Sequence, residues 1–226
     1  MEPSECPGYS PILFHNPLAT FTTRGCVNKC SFCAVPKIEG EFLELENWRP
    51  APVVCDNNLT AASKGHIRRV VDSLKLFPYV DFNQGFEARR FTPDLADMFG
   101  ELKCHIRFAF DHWGAEQYVK DAIDLCQQRA TKDITIFVLI GFKDTPEEAQ
   151  AKLEEVRSWG VLPTPMRFQP LDAKRKNSYT PPLWTEYELH RMMRYYSRLN
   201  YFEHIPYKDF QGPEYLNNQQ VMELNF

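Results

Sequence analysis

A chain of 226 residues, 43% hydrophobic and 14% aromatic, is long enough for one substantial core and short for two. A formal net charge of −4 argues against coating nucleic acid by bulk electrostatics. No apolar run approaches the ~20 residues of a membrane span, and residues 1–10 lack the basic and apolar regions of a signal peptide, so a soluble cytoplasmic protein is expected. The seven cysteines are odd in number, which speaks against a disulfide framework. Three fall within eight residues, whereas Cys6, Cys55, Cys104 and Cys126 are scattered and read as small buried side chains.

In chain order, the strand candidates are Ala19–Arg24, Pro52–Cys55, Tyr79–Asn83, His105–Asp111, Ile134–Gly141 and Pro165–Leu171. Helix signals lie between them. Ile67, Val70, Val71, Leu74 and Phe77 fall at helical spacing, as do Leu95, Met98, Phe99 and Leu102 behind the start signal Thr92-Pro93. Thr145-Pro146-Glu147-Glu148 forms a capping box ahead of Ala149, Leu153 and Val156, and Gly160 marks the stop. A second box, Thr185 with Glu188, opens a helix carrying Leu189, Met192, Met193, Tyr196 and Leu199, whose methionines read as core. Strands alternating with helices predict an α/β fold with mostly parallel strands. The connection from Cys33 to Asp56 has little helical pattern and is expected to be irregular.

Alternate side chains of a strand point to opposite faces. Ile106, Phe108 and Phe110 oppose Arg107, Ala109 and Asp111; Val80 and Phe82 oppose Asp81 and Asn83; Met166 and Phe168 oppose Arg167 and Gln169. If helices cover the apolar face, the polar set lines the concave side, either as a ligand cavity or as groups that satisfy one another. Arg107, Asp111, Arg167 and Gln169 are the substrate-binding candidates on this basis.

Cys26, Cys30 and Cys33 directly follow the first strand, where loops carry the sites of barrel enzymes. Three thiolates at these spacings can converge on one metal centre, and soft sulfur ligands select iron–sulfur clusters or zinc. A closed zinc site wants four protein ligands, and no fourth Cys or His follows Cys33 at zinc-finger spacing. A cubane held by three thiolates would leave one iron open for an exogenous ligand.

The pattern Cys-x-x-x-Cys-x-aromatic-Cys, present as Cys26, Cys30, Phe32 and Cys33, resembles the signature of the radical S-adenosylmethionine (SAM) superfamily. The resemblance implies a partial (β/α)6 barrel, a [4Fe–4S] cluster whose open iron is chelated by the amino and carboxylate groups of SAM, and an electron donor such as flavodoxin or ferredoxin. It further implies reductive cleavage of SAM to methionine and a 5′-deoxyadenosyl radical, which abstracts hydrogen from the substrate. Asp56-Asn57-Asn58 stands where the family has a Gly-Gly-Glu-like turn that accepts from the SAM amino group, although it is also an ordinary turn sequence. Asn83–Arg90 is similar to the Gly-x-Glu-Ala-Arg segment of uncharacterised members, with Glu87 and Arg89 as SAM ribose or carboxylate contacts or a surface salt bridge. Ile140 resembles the apolar residue that flanks the adenine, and Phe32 belongs to the same cofactor set. The loop is also similar to that of methylthiotransferases, but 25 residues before Cys26 and about 55 after the last strand leave no room for their extra domains.

The resulting expectation is a single radical SAM domain over 1–226: a lead-in to about 17, a barrel core over about 18–171, and a loop and helix extension over about 172–226. The catalytic residues remain open. Lys174, Arg175 and Lys176, with Arg167, suggest an anionic substrate, nucleotide-like or nucleic acid, with a carboxylate-bearing peptide or metabolite as alternative. Rival readings are an iron–sulfur redox-sensing or electron-transfer protein without radical chemistry, and a structural zinc protein.

Overall fold

The computed structural model describes residues 11–129, 131, 133–197 and 204–211. Cys6 and Leu199, both named above, lie outside them. The principal sheet has six strands, β1 (Ala19–Thr20), β4 (Val53–Val54), β5 (Val80–Phe86), β6 (Cys104–Ala109), β7 (Asp133–Ile140) and β8 (Leu162–Arg167), ordered β1-β4-β5-β6-β7-β8. The registers of β1 with β4, β4 with β5, β5 with β6 and β7 with β8 are parallel. Helices α3 (Lys64–Leu74), α4 (Pro93–Gly100), α5 (Glu116–Gln128) and α6 (Pro146–Ser158) separate successive strands, and α7 (Glu186–Tyr196) follows the last. The protein is therefore α/β with a six-stranded parallel sheet. Among the described residues, no helix is long and apolar enough to cross a membrane.

Two differences from expectation concern the outer strands. Ala19–Arg24 is not one strand: Ala19–Thr20 joins the sheet, while β2 (Thr23–Arg24) pairs antiparallel with β3 (Leu43–Glu44). The intervening crossover holds just one short helix, α2 (Val35–Ile38), and is as irregular as the sequence suggests. The last strand begins three residues earlier than Pro165. It accommodates Pro163 and Pro165 because it lies at the sheet edge, where a missing N–H interrupts no ladder on the outer side.

The described residues fall into two compact units, one from Met1–Phe108 with Asp121–Ile134, the other from Ala109–Lys120 with Thr135–Phe226. In the first, Phe82, Phe86, Phe91, Phe99 and Phe108 form an aromatic cluster, with Phe82 and Phe99 edge to face at 5.1 Å. Ile67, Val70, Val71 and Leu74 of α3 are all buried, and the Ser63 hydroxyl caps that helix. In the second, the boxes at Thr145 and Thr185 both form, each worth about 1 kcal/mol. Met192 is buried, while Tyr196 donates to Glu154 Oε1 at 2.5 Å.

Candidate functional site

The first unit carries the cysteine loop. Asp56, just past β4, accepts from the backbone N–H of Thr22 at 2.6 Å and of Thr23 at 2.8 Å, while its other oxygen accepts from the Thr22 hydroxyl. These bonds hold the chain as it leaves the main sheet. Gly25 follows at φ +68°, and its N–H donates to Glu39 Oε2 at 2.9 Å; Glu39 also pairs with Arg24 at 3.2 Å. Two carboxylates thus fix the four residues, Thr22 to Gly25, that lead into Cys26.

Cys26, Cys30 and Cys33 carry thiols outside any disulfide and are partly exposed. Cys26 Sγ accepts from the Asn28 backbone N–H and from Asn58 Nδ2, both at 3.4 Å. Asn28 Nδ2 donates to Glu87 Oε2 at 2.6 Å, and Glu87 holds Arg89 in a bidentate pair with both bonds at 2.8 Å. Thr60 donates to Asn58 Oδ1 at 3.0 Å and accepts from the Glu87 N–H at 3.2 Å. The loop after β2 and the turns after β4 and β5, all at carboxyl ends of strands, therefore share one network. The Arg89 guanidinium holds the Glu87 carboxyl below its ordinary range, against partial desolvation. Phe32 is half-buried just ahead of Cys33.

Of the cofactor candidates, the structure brings Cys26, Asn58, Glu87 and Arg89 together but alters several roles. Asp56 is 3% exposed and committed to Thr22 and Thr23, which leaves it little capacity for a SAM ammonium. Asn58 is buried and faces the thiol. Asn57 is different: its Nδ2 is buried with no partner. Ile140, expected beside an adenine, is fully buried in the second unit on the face of Ile136 and Val138; Phe137 and Leu139 occupy the half-buried face.

The polar-face expectation holds for two strands. In β5 and β6, Phe82, Ile106 and Phe108 are buried, whereas Asp81 and Arg107 lie half-buried on the other side and pair with each other. Arg107 also donates to the Phe82 carbonyl at 2.9 Å, reached across a register shift between Asp81 and Gly85. Its Nη1 thus serves the neighbouring strand β5, as in the self-satisfying alternative. In β8 the faces are reversed. Pro163, Pro165 and Arg167 are buried and Met166 is exposed, because Arg167 reaches Glu186 of α7 in a bidentate pair at 3.0 and 2.8 Å and donates to the Tyr179 carbonyl at 2.6 Å. Arg167 acts as a structural anchor through Nη1 and Nη2, its Nε buried without a partner, and it holds the Glu186 carboxyl down to about 2. Gln169 is half-buried, with its Oε1 buried and unpartnered; Asp111 is half-buried just beyond β6. Lys174, Arg175 and Lys176 are exposed. Cys104 and Cys126 are core residues as expected, while Cys55 is partly exposed, its thiol pushed up by desolvation.

Sequence reading missed Thr22, Asn28, Glu39, Thr60 and His66. Each has a partner 14 to 59 residues away that no local pattern marks.

These features define an α/β protein with a thiol-bearing loop at the carboxyl ends of parallel strands. Neither a protein-family model nor a curated protein sequence matches the chain. Among the described residues, no three His, Cys, Asp or Glu side chains stand together as a preassembled metal site. The donor set nevertheless suits a thiolate-ligated cluster in kind, with three thiols on one loop and two N–H groups already aimed at the first sulfur. Convergence would need the thiols to move.

Proposed function

We propose that the chain is a radical SAM enzyme, with Cys26, Cys30 and Cys33 as the ligands of a [4Fe–4S] cluster. The observation that carries this reading is the loop itself: three thiols within eight residues, following β2 and bonded to the turns after β4 and β5. When bound and reduced by a donor such as flavodoxin or ferredoxin, the cluster supplies the electron that splits SAM into methionine and a hydrogen-abstracting 5′-deoxyadenosyl radical.

The chain's own residues would tune and orient. The N–H groups of Asn28 and Asn58 stabilise negative charge on Cys26 Sγ. The orphaned donor on Asn57 suits a carboxylate rather than an ammonium, so this residue would take the acid end of the cofactor's methionine. Arg89, held by Glu87 but half exposed, offers a second cationic donor for a carboxylate or ribose. With Arg167 withdrawn, the proposal of an anionic, nucleotide-like substrate rests on the exposed Lys174, Arg175 and Lys176.

Anaerobic reconstitution with iron and sulfide, followed by dithionite and SAM, tests the reading. The expected result is bound iron and sulfide, formation of 5′-deoxyadenosine, and loss of both in Cys30→Ala but not in Cys104→Ala. Zinc without sulfide would indicate a structural metal protein. A cluster that yields no 5′-deoxyadenosine would indicate a redox or electron-transfer protein.

A further inference from the structure

The Asp56–Asn58 turn grips the cysteine loop twice. Asp56 takes the N–H groups of Thr22 and Thr23, from 34 and 33 residues away, and Asn58 donates to Cys26 Sγ. Behind Asp56 lies a buried chain whose hydrogens can be assigned. Arg69 Nη2 lies 3.1 Å from His66 Nδ1, and a guanidinium can donate but never accept, so Nδ1 is the acceptor. The ring hydrogen then sits on Nε2, 3.4 Å from Thr22 Oγ1, and the Thr22 hydroxyl donates to Asp56. Glu44 Oε2, 3.6 Å from Nδ1, and the Trp48 ring, 5.1 Å away, complete the surroundings of His66. Burial holds the His66 ring below its ordinary range, which keeps it neutral as this pattern requires.

A buried Asp and a buried His are costly to desolvate, a cost offset here by the hydrogen bonds that each makes. What they add is direction: each bond points along the chain toward the backbone just ahead of Cys26. We infer that Asp56, backed by Thr22 and His66, is a positioning residue of the cysteine loop, and that Asn58 extends the same clamp to the first thiol. The functional meaning of this clamp rests on the cluster reading above; its geometry concerns the loop alone.

The test is residue-resolved alkylation of the metal-free full chain, read by peptide mass spectrometry in Asp56→Asn, Thr22→Val and Thr22→Ser. Thr22→Val keeps the shape and loses the hydroxyl, whereas Thr22→Ser keeps the hydroxyl. If the clamp opens locally, Cys26, Cys30 and Cys33 react about tenfold faster in Asp56→Asn and Thr22→Val, the ratio corresponding to 1.4 kcal/mol. The core thiols Cys104 and Cys126 stay protected, and Thr22→Ser behaves as wild type. Unchanged rates at the three loop thiols would overturn the inference. So would an equal rise at Cys104 and Cys126, which would mark general destabilisation, or a Thr22→Ser variant as reactive as Thr22→Val. Iron and sulfide binding by the wild type is scored separately. Its failure alongside the expected labelling pattern would remove the cluster reading and leave the clamp standing.

Discussion

Gly25 and Gly40 have nearly the same backbone conformation, φ +68° and +76°, yet replacing them by Ala should have different consequences. At Gly40 an added Cβ meets nothing within 4 Å, so Gly40→Ala carries only the left-handed penalty, about 1 kcal/mol. At Gly25 the same carbon would lie 2.3 Å from the Glu41 carbonyl oxygen and 2.7 Å from its carbon. Those are backbone atoms that cannot rotate away, and overlap of this kind adds about 1–3 kcal/mol, for a total of about 3 kcal/mol. Relief would shift the segment next to Glu39, whose carboxylate holds the Gly25 N–H and Arg24, so the cysteine loop should loosen as well. Urea denaturation followed by circular dichroism measures the difference, and about 2 kcal/mol should separate the variants at unchanged slope. Equal midpoints for Gly25→Ala and Gly40→Ala would refute the reasoning.

The reassignment of Arg167 has its own test. Arg167→Ala removes a buried side chain with three hydrogen bonds and should cost about 3 kcal/mol, whereas Glu186→Gln should cost less because the Glu186 side chain is 45% exposed and water can take its place. A variant Arg167→Ala with the wild-type melting temperature would reinstate Arg167 as a free ligand contact. Burial pushes the Asp56 carboxyl up to about 6, outweighing the lowering effect of its bonds from Thr22 and Thr23. A folded-state value above the unfolded one means that this contribution is fully present below the unfolded value and is lost as pH rises through about 6. Wild type should therefore gain about 1 kcal/mol relative to Asp56→Asn between pH 7.5 and 5; parallel stability profiles for the two proteins would contradict the shift.

Much of the framework was written in local sequence. The boxes at Thr145 and Thr185 and the cap at Thr92 act within three residues, so their helices begin where the sequence indicates. The alternation in Val80–Phe82 and Ile106–Phe108 sorts core from polar face because both strands lie inside the sheet. Helix α5 escaped notice because no capping residue announces it, although Val119, Ala122, Ile123 and Cys126 keep helical spacing. The three cysteines were legible for the same reason: their spacing is local.

Partnerships across the chain could be decided only by tertiary structure. The parity of β8 was visible in sequence, but which side faced inward depended on Glu186, 19 residues away, which turns a long cation toward α7. Asp56 looked like one acceptor in an ordinary turn until folding brought Thr22 and Thr23 against it. Sequence by itself determines what a residue can donate, accept or bury. The fold determines which partner reaches it first, and a buried carboxylate that already holds three donors has little left for a ligand.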